Sequence, residues 1–320
     1  MLTRSMRAIV VKEFGGPQVM EVQHIPVPTP GKGEVLVAIH AAGTNPVDAS
    51  NRSDGSWAGL ETPIIPGSDA SGVIEATGED VQDLARGDEV FYMSDFLGNP
   101  MGTYAEYQVV DAAIVTRKPE GLSHVEAAAV PLAAGTAYEV VIRRLDVQKE
   151  EWILIHGAAG GVGMYALQLA TTRGARVIAS ASLPRHSKLM EMGAYACLDY
   201  RTEDVPLAAR DIAGVELDAV ADFVGGDLIS RSLGVVRPNG RAASIASVEG
   251  DLELLIDRNI TLHGVLVRPD GGRLEKLREM LDAGTLHVLV DEVLPLEEAA
   301  RAHARLESGH GQGKVVLRVR

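Results

Sequence analysis

The hydrophobic and polar positions change texture twice along the chain, and each change predicts a different kind of structure. Before Ser123, short apolar runs at 7–11, 21–25, 35–41, 70–76, 89–93 and 105–110 alternate with turns such as PTPGKG, GED and RGDE. Runs of that length, bounded by Gly, Pro and Asp, predict antiparallel strands in a compact, partly barrel-like domain. From Ser123 the segment HVEAAAVPLAAGTAYEVVIRRL is rich in helix formers, with Pro131 and Gly135 predicted to break it. Apolar strands at 152–156, 176–180, 196–198, 219–222, 241–245 and 262–266 then alternate with helical stretches. That rhythm predicts a parallel sheet covered on both faces, the doubly wound α/β class. The tail predicts amphipathic helices at 273–283 and 296–306 and a closing strand at 314–319. Six strands already complete the sheet, so the tail is expected to rejoin the N-terminal domain. The boundaries expected are 1–133 plus 268–320 for one domain and 134–267 for the inserted one. A cleft between them is the default ligand site.

The first strand of the inserted domain runs straight into Gly157-Ala158-Ala159-Gly160-Gly161-Val162-Gly163, and 164–172 (MYALQLATT) reads as the helix that follows. Strand, glycine turn and helix bring backbone N–H groups and a helix N-terminus up to a pyrophosphate. The strict G-x-G-x-x-G spacing is absent, and a glycine turn alone is a weak signal. The second strand, arriving at the distance a βαβ unit requires, strengthens it. Gly160, Gly161, Val162 and Gly163 are therefore the expected pyrophosphate contacts.

Charge and composition narrow the choice of partners. Lys and Arg number 30 against 44 Asp and Glu, a net charge of −14, which argues against nucleic acid as the main partner. Cys197 is the one cysteine, so neither an internal disulfide framework nor a cysteine-built zinc site is expected, and a cytoplasmic location is the simplest. The opening MLTRSMRAIVVKEF has too short an apolar segment for a signal peptide, and 125–142 is interrupted by Glu126, Pro131 and Glu139. No membrane association is expected.

Several segments in fixed order carry a family resemblance over nearly the whole length. These are MRAIVVKEFGGPQVMEVQHIPVPTPGKGEVLVAIHAAGTNPVD, PGSDASGVIEATGEDV, RGDEV, GTYAEY, PLAAGTAYE, HGAAGGVG and ESGHGQGKVVLRV. Together they resemble the zinc-free quinone oxidoreductases of the medium-chain dehydrogenase/reductase superfamily. The resemblance implies a GroES-like catalytic domain carrying an inserted Rossmann domain, and an NADPH-dependent reductase of quinones or α,β-unsaturated carbonyls. It also implies a homodimer, with the edge strand at 262–266 as the pairing element. Zinc-dependent relatives place a cysteine where this chain has Asn45, and the histidine of their Gly-His-Glu motif is Ser68 in Gly67-Ser68-Asp69. Asn and Ser are poor zinc ligands, so no metal is expected. Without a Lewis acid, hydride transfer favours acceptors already activated by conjugation.

By the same resemblance Asn45 lines the nicotinamide pocket and is the candidate catalytic residue, its other reading being a turn residue before Pro46. Asp48 in the same motif reads as structural. Thr136 resembles the family threonine near the nicotinamide, or else is a helix cap. Tyr200 matches a position beside the adenosine, with a core tyrosine as the alternative. Val224, Ile245 and Ala246 end later strands beneath the nucleotide. Leu266 and Val267 resemble the segment that contacts the carboxamide, and Lys314 reaches the cofactor unless it is an exposed strand lysine.

NAD enzymes of this fold place a carboxylate at the end of the second strand to hold the ribose hydroxyls. Here that place reads 180–188, SASLPRHSK, with no acid before Glu191. The hydroxyls of Ser180 and Ser182 with Arg185, His186 and Lys188, Arg185 first among the cations, suit a 2′-phosphate, which favours NADPH over the alternative of a solvated helix N-terminus with ordinary surface cations. One departure concerns the proton. Related enoyl-thioester reductases carry a donor tyrosine after the NP-x-D segment, whereas this chain has Ser53-Asp54-Gly55-Ser56-Trp57. Tyr104 is a possible substitute. An enoyl-thioester reductase acting in trans and a non-catalytic nucleotide-responsive binding protein stand as the alternatives.

Overall fold

The computed structural model describes residues 4–309 and 313–320. Residues 1–3 of the opening segment and 310–312 of the closing ESGHGQGKVVLRV motif lie outside them. The chain divides into two compact units, one holding Met1–Leu132, Arg268–Gly284 and Val288–Arg320, the other Ala133–Val267 and Thr285–His287.

The first unit opens with β1 (Ser5–Val11) and β2 (Met20–Pro26), an antiparallel pair. Next come β3 (Glu34–Gly43), α1 (Pro46–Ser53), β4 (Asp69–Thr77), β5 (Glu89–Met93), β6 (Tyr107–Asp111) and β7 (Val115–Arg117). Strand β3 is the spine: β4 lies along one side, with register shifts between Leu36/Val37 and Ile39/Ala41. Such irregularities bend a strand and raise its twist, which lets the sheet curl. Two helices follow, α2 (His124–Ala128) and α3 (Pro131–Tyr138). Pro131 opens α3, where its missing N–H costs nothing, while Gly135 lies inside α3 and does not break it.

The second unit is the predicted parallel sheet. Its strands are β8 (Trp152–His156), β9 (Arg176–Ser180), β10 (Ala196–Leu198), β11 (Leu217–Asp222), β12 (Val236–Ser244) and β13 (Thr261–Gly264), in the order β10-β9-β8-β11-β12-β13. All pairings are parallel, and β8 is buried throughout with β9 and β11 buried at all but one position each, as a sheet covered on both faces requires. The helices are α4 (Gly161–Thr172), α5 (His186–Glu191), α6 (Val205–Ala213), α7 (Leu228–Ser232) and α8 (Glu253–Asp257). This is the doubly wound order in which the sheet reverses direction between β8 and β11.

The tail, α9 (Gly271–Asp282), β14 (Val290–Pro295), α10 (Ala299–Glu307) and β15 (Lys314–Arg318), returns to the first unit. There β15 pairs with residues 41–43 of β3, beside the stretch of β3 that β6 occupies. The resulting order is β14-β15-β3-β4-β5-β7. No helix among the described residues is long and apolar enough to cross a membrane.

Candidate functional site

In the first unit, β3 ends at Gly43 and the chain turns into α1 through Thr44 and Asn45, with Pro46 as the first helical residue. Asn45 is buried, and so are Asp48, Ser68, Asp69 and Lys314. Five polar side chains in one apolar interior must satisfy one another. The Lys314 ammonium donates to Thr44 O at 2.8 Å and to Asn45 Oδ1, and lies 3.6 Å from Asp69 Oδ2. Asn45 Nδ2 donates to Asp69 Oδ2 at 3.0 Å, and the Leu132 N–H donates to Asp69 Oδ1 at 2.8 Å. Burial pulls the Asp69 carboxyl up and the Lys314 ammonium down, while each holds the other in its charged form. Lys314 is thus not an exposed strand lysine. Its ammonium bonds Thr44 O and Asn45 Oδ1 and stands 3.6 Å from Asp69 Oδ2 as that carboxylate's counter-ion.

Asp48 occupies the next layer. Its Oδ2 accepts the Asn45 N–H at 2.8 Å and the Tyr104 hydroxyl at 3.2 Å, and its Oδ1 accepts the Ser68 hydroxyl. Burial pushes its carboxyl up to about 7; the Ser68 hydrogen bond opposes this and the neighbouring Asp69 charge adds to it. Tyr104 is fully buried, with its OH 3.1 Å from His303 Nε2. Burial first, and then Asp48, drives its phenol well above the ordinary value. Tyr104 is therefore an internal bridge and a poor proton donor to any ligand.

In the second unit the carboxyl ends of the parallel strands are in register: Ser180 beside His156, His156 beside Asp222, Asp222 beside Ser244 and Ser244 beside Gly264. The glycine turn leaves β8 at the sheet's switch point, where open α/β sheets bind ligands. Gly157 takes a φ of +70°, and Gly160 precedes α4 as its cap. Gly161, Val162 and Gly163 are the first residues of α4, so their N–H groups have no acceptor within the helix. Buried Asp222 shapes the neighbouring turn by accepting the Val224 and Gly225 N–H groups and the Ser244 hydroxyl. Val224, Ile245 and Ala246 follow the ends of β11 and β12, and Val224 is largely exposed. Leu266 is exposed and Val267 buried, both past the end of β13, which is shorter than expected.

Beyond β9, Ser180 is buried, Ser182 caps a single helical turn and Arg185 ends that turn. Tyr200 is exposed, which excludes the core-tyrosine reading, and the Arg201 guanidinium lies 5.6 Å from its ring. Thr136 is buried inside α3, so it is no helix cap. Sequence reasoning missed Asp199. Its Oδ2 accepts the Leu183 N–H at 3.2 Å, placing a carboxylate at the end of the second strand from the neighbouring one. The parallel pairing of β9 and β10 was the signal that could have found it.

Known proteins match this arrangement along its whole length. The model of the alcohol dehydrogenase GroES-like domain matches residues 31–120, and that of the zinc-binding dehydrogenase matches 192–317. Human quinone oxidoreductase is 31% identical over 98% of this chain and 97% of its own length. The chain belongs to the quinone oxidoreductase family of the medium-chain dehydrogenases/reductases. Among solved structures, a mycobacterial protein complexed with NADPH is 31% identical, with a TM-score of 0.89 over 98% of this chain and 100% of the other. An NAD-dependent alcohol dehydrogenase is 32% identical, with a TM-score of 0.91 over the same shares. Membership makes the protein a pyridine-nucleotide-dependent oxidoreductase with a GroES-like domain and a Rossmann domain. The zinc of the second domain model's description does not fit these residues. A zinc site draws on thiolate, imidazole or carboxylate donors, and here a backbone carbonyl, a side-chain amide and one carboxylate surround an ammonium that already supplies the positive charge.

Proposed function

We propose that the protein is a metal-free reductase that uses NADPH to reduce quinones or α,β-unsaturated carbonyls. The observation that carries this reading is the Lys314 ammonium lodged against Asn45 and Asp69. A fixed internal cation cannot bind and polarise a substrate oxygen as an open metal site does, so acceptors activated by their own conjugation are the ones left. Reduced nicotinamide would supply hydride. The N–H groups of Gly161, Val162 and Gly163 would hold the pyrophosphate, with Gly160 opening the turn. Val224, Ile245, Ala246, Leu266, Val267 and Thr136 would line the rest of the nucleotide's path, and Asn45 would face the reacting ring.

For the 2′-phosphate, Ser180, Ser182 and Arg185 are the proposed set, Arg201 joins it, and Tyr200 would lie beside the adenosine. Asp199 opposes a phosphate, and the two arginines offset it. Arg185→Ala is expected to weaken NADPH binding by about 10- to 100-fold, the worth of a charge-assisted contact, and to leave NADH binding unchanged. Fluorescence titration with both nucleotides checks this, and an equal loss for the two removes the 2′-phosphate role.

The deciding assay is NADPH oxidation against benzoquinone, naphthoquinone, an enone and an enoyl thioester, with NADH as control. Turnover of quinone or enone alone supports the reading, whereas turnover of the thioester alone replaces it with acyl reduction. A homodimer through the open edge of β13 fits the exposed Leu254 and Ile256 on the adjoining α8. Sedimentation of a 33.9 kDa species at micromolar concentration would remove it. The half-buried single cysteine, Cys197, suits a cytoplasmic protein.

A further inference from the structure

Asp48 has an asymmetric set of partners. Oδ2 is held by two donors, the Asn45 N–H and the Tyr104 hydroxyl, while Oδ1 has only the Ser68 hydroxyl among the described residues. A proton added to this carboxyl therefore goes on Oδ1. The hydrogen bond to Ser68 then reverses: Oδ1–H donates to Ser68 Oγ, and the serine hydrogen is released to point elsewhere. Asp48 and Ser68 also line one small recess, whose wall includes Asn51, Phe96, Asp95 and Asn99. Asn51 is 5% exposed; its Nδ2 donates to Phe96 O, and its Oδ1 has no partner among the described residues. A buried carbonyl without a donor, beside a recess, calls for a hydroxyl-bearing guest such as water.

We propose that Asp48 and Ser68 form the proton delivery route of the reductase, Ser68 Oγ giving the proton to the reduced acceptor and Asp48 Oδ1 replacing it. This rests on the reductase reading above. Completing the reduction of a quinone or enone takes one hydride, from the reduced nicotinamide, and one proton. The Ser68 O–H bond breaks as the acceptor's anionic oxygen or carbon takes that hydrogen. The Asp48 O–H bond breaks as Ser68 is restored, leaving a carboxylate that solvent reprotonates through the recess. Ser68 is the catalytic residue and Asp48 acts through it. The charges facing Asp48 are Asp69 on β4 and Lys314 on β15, with Asp95 across the recess and Arg52 on its own helix. His303 on α10 reaches it through Tyr104 and is kept neutral, its imidazole pushed down to about 3 by burial and then by Arg52.

Its carboxyl near 7 makes Asp48 a working acid around neutrality. The wild-type kcat is expected to fall as pH rises through about 7. Asp48→Asn should lower kcat by about 100-fold, the size of a lost general acid, with nucleotide affinity unchanged and that inflexion gone. Ser68→Ala, a small change that keeps the fold testable should Asp48→Asn fail, should do the same, and Ser68→Thr should restore turnover. Infrared difference spectra give a readout free of activity: a protonated carboxyl band that disappears through about pH 7 and is missing from Asp48→Asn. A folded Asp48→Asn with wild-type kcat and inflexion overturns the route. So does a band that does not titrate there, whichever acceptors are reduced. A wild type that binds nucleotide, shows the band and reduces no acceptor sinks the reductase reading instead.

Discussion

Lys314→Met should cost about 3–5 kcal/mol of stability, the usual penalty for removing one partner of a buried ion pair. The Asp69 carboxylate would keep its two hydrogen bonds, from Asn45 Nδ2 and the Leu132 N–H, and lose the only positive charge within 4 Å of it among the described residues. Burial already pushes the Asp69 carboxyl up, and the ammonium is the first influence that opposes this. Without Lys314, the folded-state value rises further above the unfolded one. The native chain then holds a proton that the unfolded chain has released, so stability falls as pH rises through that window. Urea midpoints measured between about pH 5 and pH 8 check both the size and the sign. Adding Asp69→Asn removes the stranded charge, and the double variant should recover a large part of the loss. A single variant as stable as the parent at every pH would mean that Lys314 and Asp69 are not the coupled pair described here.

That pair shows where sequence reading stops. The sheet of the second unit was legible, because short apolar runs at β8, β9 and β11 alternate with helical stretches, the rhythm of a parallel sheet. The glycine turn was legible from its local strand, turn and helix pattern, whereas Asn45 was singled out by the family resemblance alone. The place of Lys314 was not legible, because its partners lie about 270 residues away and a β-strand lysine is ordinarily exposed. Asp199 escaped because its place beside Leu183 comes from strand neighbours and not from chain neighbours. β14 went unseen because Asp291 and Glu292 break its apolar pattern, although the edge position it takes tolerates them. Gly135 misled in the other direction: a helix interior can hold glycine when packing covers its cost.

Gly163→Ala should damage both fold and nucleotide binding. A Cβ at this position would meet Gly157 O at 2.2 Å and Ala158 Cα at 2.7 Å, both backbone atoms that no side-chain rotation can move aside. Either α4 or the turn before it has to shift, and overpacking of this kind costs about 1–3 kcal/mol. The same shift displaces the N–H groups of Gly161 and Val162 that the pyrophosphate reading depends on, so affinity for reduced pyridine nucleotide should fall by about tenfold or more, each 1.4 kcal/mol being one factor of ten. Gly160→Ala is the matched control. Gly160 has an extended backbone that any residue adopts, and a Cβ there would meet only Gly157 O, at 3.3 Å. Its loss should be small in both measurements. Fluorescence titration and urea denaturation of the two variants separate the outcomes. If Gly163→Ala binds nucleotide as tightly as the parent, the helix N-terminus is not where the pyrophosphate sits, because no alanine fits there without moving it.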